Sequence, residues 1–252
     1  MSAESKSPAQ ILAGNLLAQL AANGIDHIFL SPGARSQSLA IAAGQLAEAG
    51  HVQLHVRLDE RSLAFQALGI GLASGFPAAL ITTSGTAVAN LHPAVLEAHH
   101  AGIPMILLTA DRPAELRGVG ANQTTNQIGI FGEAVRQCID VATPSTEETP
   151  AQLAQRAETL ALKAIESAVS LGGPVQLNLG FREPLSDVTP DAAQIFNEIA
   201  AKQLEEDATG SIPLPLGDGY HLDHPNTEQL RVINQRKPDT VIDLSLNTIV
   251  VA

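Results

Sequence analysis

Apolar positions along this chain switch repeatedly between a period of two and a helical spacing, and the switching predicts β-α units from the start. Helical spacing runs from Pro8, suited to a first turn, to Gly24, a stop signal. A strand over Ile25 to Leu30 follows, then a turn at Ser31-Pro32-Gly33 and a helix from about Ser38 to Ala49. Val52 to Leu58 reads as a buried second strand, and Glu60 to Ser74 as a helix in which Leu63, Ala67 and Ile70 share a face. Ala78 to Thr82 is the third strand, Ala87 to Ala101 a helix, and Pro104 to Thr109 the fourth strand. A polar loop from Asp111 to Gln127 precedes a strand at Val135 to Val141, a long helix at Ala151 to Ser170 and a strand at Val175 to Leu179. Units of this length predict an α/β fold, a doubly wound parallel sheet with helices on both faces.

The pattern changes towards the C-terminus. Residues 1–187 read as one α/β domain. Residues 188–237 read as a helix, Pro190 to Leu204, and an interdomain linker, since Glu205 to Pro225 is rich in Asp, Gly, Pro and Leu without a period. Thr240 to Leu244 and Thr248 to Ala252 resemble short strands, so residues 238–252 are expected to begin a second domain that is cut short.

Composition narrows the functional classes. Net charge is −12 over 252 residues, which argues against nucleic acid and anionic membranes as partners. No apolar run is long enough to span a bilayer, the N-terminus lacks the features of a signal peptide, and the one cysteine, Cys138, cannot form an internal disulfide. A cytoplasmic location is expected. Aromatic residues make up only 3% of the chain, so the core must be built from Ala, Leu, Val and Ile.

Loops that follow parallel strands emerge on one edge of the sheet, where open α/β folds bind ligands. Four such loops carry the candidate chemistry: Ser31 to Ser36, Asp59-Glu60-Arg61, Thr82-Thr83-Ser84-Gly85-Thr86, and Asp111-Arg112-Pro113 running on to Gly120-Ala121-Asn122-Gln123. Together they gather hydroxyls, backbone donors, an Asn/Gln pair and the arginines Arg35, Arg61 and Arg112 around one carboxylate, Glu60. A carboxylate at that strand-to-helix joint is favoured in its ionised form by the helix dipole. Each loop has a plainer reading: Ser-Pro-Gly as a turn, the hydroxyls as helix caps, Asp111-Arg112 as a local ion pair. Gly69 and Gly71 would admit a close neighbour to the helix that starts at Glu60.

Ser31-Pro32-Gly33-x-Arg35-Ser36, Asp59-Glu60-Arg61, Thr83-Ser84-Gly85-Thr86-Ala87-Val88-Ala89-Asn90-Leu91, Leu107-Leu108-Thr109-Ala110-Asp111-Arg112-Pro113 and Gly120-Ala121-Asn122-Gln123, in this order, resemble the N-terminal pyrimidine-binding domain of thiamine-diphosphate enzymes. The resemblance covers about Ile11 to Leu185, and within the superfamily it points to the synthases of menaquinone biosynthesis. It implies a carboligation: 2-oxoglutarate loses CO2 and the succinyl unit adds to isochorismate in a 1,4-addition. Glu60 matches the family glutamate that hydrogen-bonds a nitrogen of the pyrimidine ring, where an amide could not exchange the proton. Ser84, Gly85 and Thr86 match cofactor-binding positions. Arg35, Asn122 and Gln123 match positions that meet substrate carboxylates or the intermediate, a task suited to the arginine fork. The family often has serine where this chain has Ala34. Its Gly-Asp-Gly…Asn segment, which binds Mg2+ (or Mn2+) and the diphosphate, does not occur here, so no metal ligand is assigned and the chain by itself is expected to be inactive. The resemblance also implies a homo-oligomer, dimer or tetramer, assembled through this domain.

Three alternatives remain open. Another thiamine-diphosphate enzyme, of the acetolactate synthase or decarboxylase type, would differ in Arg35 and the Gly120 to Gln123 loop. A non-catalytic α/β module that binds an anion or dimerises would fit the missing diphosphate motif. A dinucleotide-binding fold is poorly supported, because Gly69-x-Gly71 lies inside a helix pattern. Other signals carry less. His99-His100 suit a helix end, and His221 and His224 lie in the linker. Glu205-Glu206-Asp207 is a solvated acidic run, and Cys138 a small core residue. Arg182-Glu183-Pro184 either borders the site or forms a turn.

Overall fold

A computed structural model of the chain describes residues 7–186 and 190–208. The expected linker Glu205 to Pro225 lies largely, and the strands at Thr240 to Leu244 and Thr248 to Ala252 wholly, outside the described residues. Six strands form one sheet: β1 (His27–Leu30), β2 (Gln53–Val56), β3 (Ala78–Thr82), β4 (Met105–Asp111), β5 (Gln137–Val141) and β6 (Pro174–Gly180). All neighbours are parallel, in the order β2-β1-β3-β4-β6-β5.

Two apolar layers cover the sheet. On one face, Leu12, Leu16 and Leu20 of α1 (Pro8–Ala22) pack with Leu39 and Leu46 of α2 (Gln37–Glu48), and with Ala157, Ala161 and Ala164 of α6 (Pro150–Ser170). Ala192 of α7 (Ala192–Ala208) joins this layer, which bears out the helix expected near Pro190. On the other face, Leu63, Ala64 and Ala67 of α3 (Glu60–Ser74) and Ala94, Val95 and Ala98 of α5 (His92–Ala101) pack on Phe29, Leu80 and Leu107. The alanines let these helices lie close to the sheet, and each fully buried leucine contributes about 1.5–3 kcal/mol.

Local chemistry sets the element ends. Thr149 and Gln152 form a reciprocal capping box at the start of α6, with Pro150 in its first turn. Asp59 caps α3 by accepting the Ser62 amide at 2.6 Å. Two expectations need correction. The single helix from Ala87 to Ala101 is broken into α4 (Thr86–Ala89) and α5, because the ring of Pro93 would clash with the Ala89 carbonyl in a continuous helix. The strand before Glu60 is not buried. It is β2, at the sheet edge, with Gln53 and Val56 exposed, since β1 has β3 on its other side. Of the two glycines in α3, Gly71 meets the expectation: an added Cβ would lie 2.8 Å from Ile103 and from the Pro104 carbonyl, whereas nothing lies within 4 Å of Gly69.

Candidate functional site

Strand order reverses beside β1. The chain leaves β1 for the outer β2 on one side, then returns to β3 on the other. Such a switch point opens a crevice at the carboxyl ends of the two strands. The Ser31 to Ser36 turn and the Thr83 to Gly85 turn flank it, joined by the Arg35 amide donating to Thr83 Oγ1 at 3.3 Å. Glu60, the first residue of α3, stands at the same edge. Its half-buried carboxylate accepts the Ser31 hydroxyl at 3.2 Å through Oε1, and Oε2 has no hydrogen bond among the described residues. Beside it, the Ser62 amide holds the Asp59 carboxyl below its ordinary value.

The second half of the site is built on Ser84 and Gly85, both buried. Gly85 has φ +85° and ψ −141°, a conformation that L side chains resist. The loop after β4 folds back over this turn. Gln123, itself at φ +51°, donates its side-chain amide to the Ser84 carbonyl at 3.2 Å, and Gln127 accepts the Gly85 amide at 2.9 Å. The Arg112 guanidinium donates to Ser84 Oγ and, at 3.0 Å, to the Gln123 carbonyl. Partial burial, and then the like charge of Arg35, lower the Arg112 pKa. Two guanidinium groups that repel each other in this way would be relieved by an anion that reaches both.

Arg35 is held by the segment that follows β6. Its Nη1 donates to the Phe181 carbonyl at 3.0 Å, and Nη2 lies 3.5 Å from the exposed Glu183 carboxylate. Its buried Nε has no hydrogen-bond partner among the described residues.

A buried polar network anchors the base of the β4 loop. Asp111 accepts the Arg112 amide at 2.7 Å and the Asn178 side-chain amide at 2.9 Å, and pairs with Arg117 at 3.0 Å. Arg117 also reaches Asp140 at 2.9 Å and donates to the Arg112 carbonyl at 2.9 Å. Asp111 and Arg112 therefore do not form the local ion pair: the Asp111 carboxylate takes Arg117, and the Arg112 guanidinium points at Ser84. Between Arg117 and Gln123, Gly118, Val119 and Gly120 are exposed.

Of the residues singled out from the sequence, the fold brings together Ser84, Gly85, Gln123 and Arg112 directly, and Arg35 through Thr83. Glu60 lies on the same edge but is bonded only to Ser31 among the described contacts. The arginines do not surround it. Arg35 and Arg112 gather at Ser84 and Glu183 instead, and Arg61 is exposed on α3. Thr86 and Asn122 are exposed, with no side-chain hydrogen bond to the rest of the group. Sequence reasoning missed Gln127, Arg117, Asn178 and the Phe181 carbonyl, whose partners lie far away in the chain. Glu183 does border the site. Cys138 is half-buried and donates to Gln176 Oε1 at 3.2 Å, so it is less a core residue than expected.

Among the described residues, no helix is long and apolar enough to cross a membrane.

Comparison with known proteins places this geometry in context. Residues 12–130 match the family model of the thiamine pyrophosphate enzyme N-terminal TPP-binding domain. The chain is 55% identical over 188 residues to a 2-succinyl-5-enolpyruvyl-6-hydroxy-3-cyclohexene-1-carboxylate synthase of Leifsonia xyli subsp. xyli, covering 73% of this chain and 31% of that protein. It is 51% identical over 183 residues to the protein of the same name in Clavibacter michiganensis subsp. michiganensis, covering 73% and 30%. For the Arthrobacter sp. counterpart the identity is 45% over 193 residues, covering 77% and 31%. The chain spans about a third of the length of these relatives.

Proposed function

We propose, from the match of residues 12–130 to the thiamine pyrophosphate enzyme N-terminal domain, that residues 1–187 form the pyrimidine-binding part of a synthase in menaquinone biosynthesis. The proposed reaction removes CO2 from 2-oxoglutarate and adds the succinyl unit to isochorismate in a 1,4-addition. The observation that carries this reading is a single sheet edge that holds a half-buried carboxylate, Glu60, bonded to Ser31, alongside the guanidinium groups of Arg35 and Arg112.

The residues present fit the cofactor. Glu60 is half-buried at a helix N-terminus, with one oxygen committed to Ser31 and the other without a protein partner among the described residues. Such a carboxylate can hold and return a proton at a ring nitrogen. Thiamine diphosphate, when bound, supplies the electron sink for the carbon–carbon chemistry. Ser84, Gly85 and Thr86 are proposed to line the ring. Arg35, Asn122 and Gln123 are proposed to receive substrate carboxylates, with Arg112 beside them. The ligands of Mg2+ (or Mn2+) and of the diphosphate are proposed to lie outside this chain.

The remaining parts of the reading are proposals of the same kind. Residues 188–237 would be a helix and linker, and residues 238–252 the start of a central domain. Location would be cytoplasmic. Assembly would be a homo-oligomer through this domain, which is supported by Leu58 and Leu72, 87% and 70% exposed at the β2–α3 edge. The test is consumption of 2-oxoglutarate and isochorismate by the full-length protein, with and without thiamine diphosphate and Mg2+. Cofactor-dependent loss of both substrates is expected. Decarboxylation of 2-oxoglutarate without use of isochorismate would move the protein to the decarboxylase type.

A further inference from the structure

We infer that Gln127 is a positioning residue: it fixes the Ser84–Gly85 peptide and through it the substrate-facing side chains of Gln123 and Arg112. The inference rests on the synthase reading above and deepens it.

The Ser84–Gly85 peptide plane is gripped from both sides. Its carbonyl accepts the Gln123 amide at 3.2 Å, and its N–H donates to Gln127 Oε1 at 2.9 Å. The C=O and N–H of a trans peptide point in opposite directions, so the two glutamines oppose each other across one plane. Gln123 and Arg112 then hang from this unit. Ser84 Oγ donates to the Gln123 carbonyl and accepts from Arg112.

Gln127 suits the role because it is 1% exposed and both polar atoms of its side chain are hydrogen-bonded. Its Nε2 donates to the Ala110 carbonyl at 3.1 Å and to Asn178 Oδ1 at 2.9 Å. Its own carbonyl accepts from Gln176 at 3.2 Å. The side chain thereby transfers the rigidity of β4 and β6 to a turn whose glycine would otherwise be free to rotate. A buried glutamine that only satisfied the core would bond to strands alone; this one spends its acceptor on the turn. Only an amide supplies an acceptor for Gly85 and two donors for the strands at once.

The test compares Gln127→Met, which keeps the size but removes the acceptor and both donors, with Gln127→Glu, which loses the donors but retains an oxygen for the Gly85 amide. Both are made in the full-length protein and assayed by steady-state kinetics, varying 2-oxoglutarate and isochorismate in turn. With Gln127→Met, KM for at least one of the two is expected to rise about tenfold, the effect of losing the one bond that reaches the turn, while kcat stays within about threefold. Gln127→Glu should restore KM to within about threefold of wild type. A structural role alone would lower Tm without this split, and would make the glutamate at least as damaging, since it faces two acceptor oxygens. Wild-type KM in Gln127→Met, or failure of the glutamate to rescue, overturns the inference and leaves the synthase reading standing. If Gln127→Met does not fold, Gln127→Glu decides: a tenfold rise in KM overturns the proposal. Wild-type protein that turns over neither substrate overturns both.

Discussion

Replacing Gly85 with alanine is expected to reduce stability and substrate affinity together. At φ +85° and ψ −141° an L side chain costs about 1–3 kcal/mol of backbone strain. The new Cβ would also lie 3.1 Å from the Cγ and the carbonyl oxygen of Gln123, and 3.2 Å from its carbonyl carbon. Two of these three atoms are backbone, so the loop itself must move. Gly75 is the matched control: at φ +72° and ψ 3°, with nothing within 4 Å, alanine there costs only its conformation, about 1 kcal/mol. Taking about 2 kcal/mol of strain and about 1 kcal/mol for displaced packing, Gly85→Ala should cost about 3 kcal/mol. For a domain of this size that is a Tm lower by about 6–12 °C, against about 2–4 °C for Gly75→Ala. Thermal unfolding of the 252-residue chain, followed by circular dichroism, measures both. In the full-length protein Gly85→Ala should also raise a substrate KM, because Gln123 is the group displaced. Equal Tm losses in the two variants would refute the argument that Gln123 confines the turn.

Further outcomes are expected elsewhere on the same edge and beside it. Glu60→Gln in the full-length protein should lower turnover by at least about a hundredfold, the low end for a positioned proton-transfer group, and near wild-type turnover would remove Glu60 from the chemistry. Arg35→Ala should raise KM for a carboxylate substrate and leave thiamine diphosphate affinity nearly unchanged; a collapse of cofactor affinity, measured by calorimetry, would reassign it. His55, stacked on Phe29 and 3.0 Å from His27, has a pKa lowered from 6.5 by burial, then by the charges of His27 and Arg57. Because the folded state binds the proton less readily than the unfolded one, its contribution is present above about pH 6.5 and is lost as pH falls below that. Melting curves at pH 7.5 and 5.0 should therefore differ less for His55→Gln than for wild type, and identical differences would contradict the assignment.

The chain announces most of its helices by an apolar face at helical spacing, and β3, β4 and β6 as short runs buried throughout. Asp59 and Gly75 even mark both ends of α3. What period cannot show is which strand lies at an edge: Val52 to Val56 alternates like an interior strand, yet pairs on one side only. The loops were legible as a group, since parallel strands deliver them to one edge. Their internal wiring was not. Gln127 to Gly85, Arg35 to Phe181 and Arg117 to Asp140 join residues 42, 146 and 23 positions apart, and only the assembled sheet makes them neighbours. Nor does composition tell that Arg112 turns away from the adjacent Asp111; that depends on Arg117 arriving from five residues further along.

The β4 loop is tied down at two points, by Arg117 at its base and by Gln123 and Gln127 at its return, with exposed Gly118, Val119 and Gly120 between them. Lengthening a loop between fixed ends costs little, since closure entropy grows only with the logarithm of length. Extra residues placed after Gly118 would thus bulge outward without loosening either tie. That makes this short span the natural grafting point of the domain, where a tag or a longer substrate-covering segment could be spliced while Arg112, Ser84 and Gln123 keep their places.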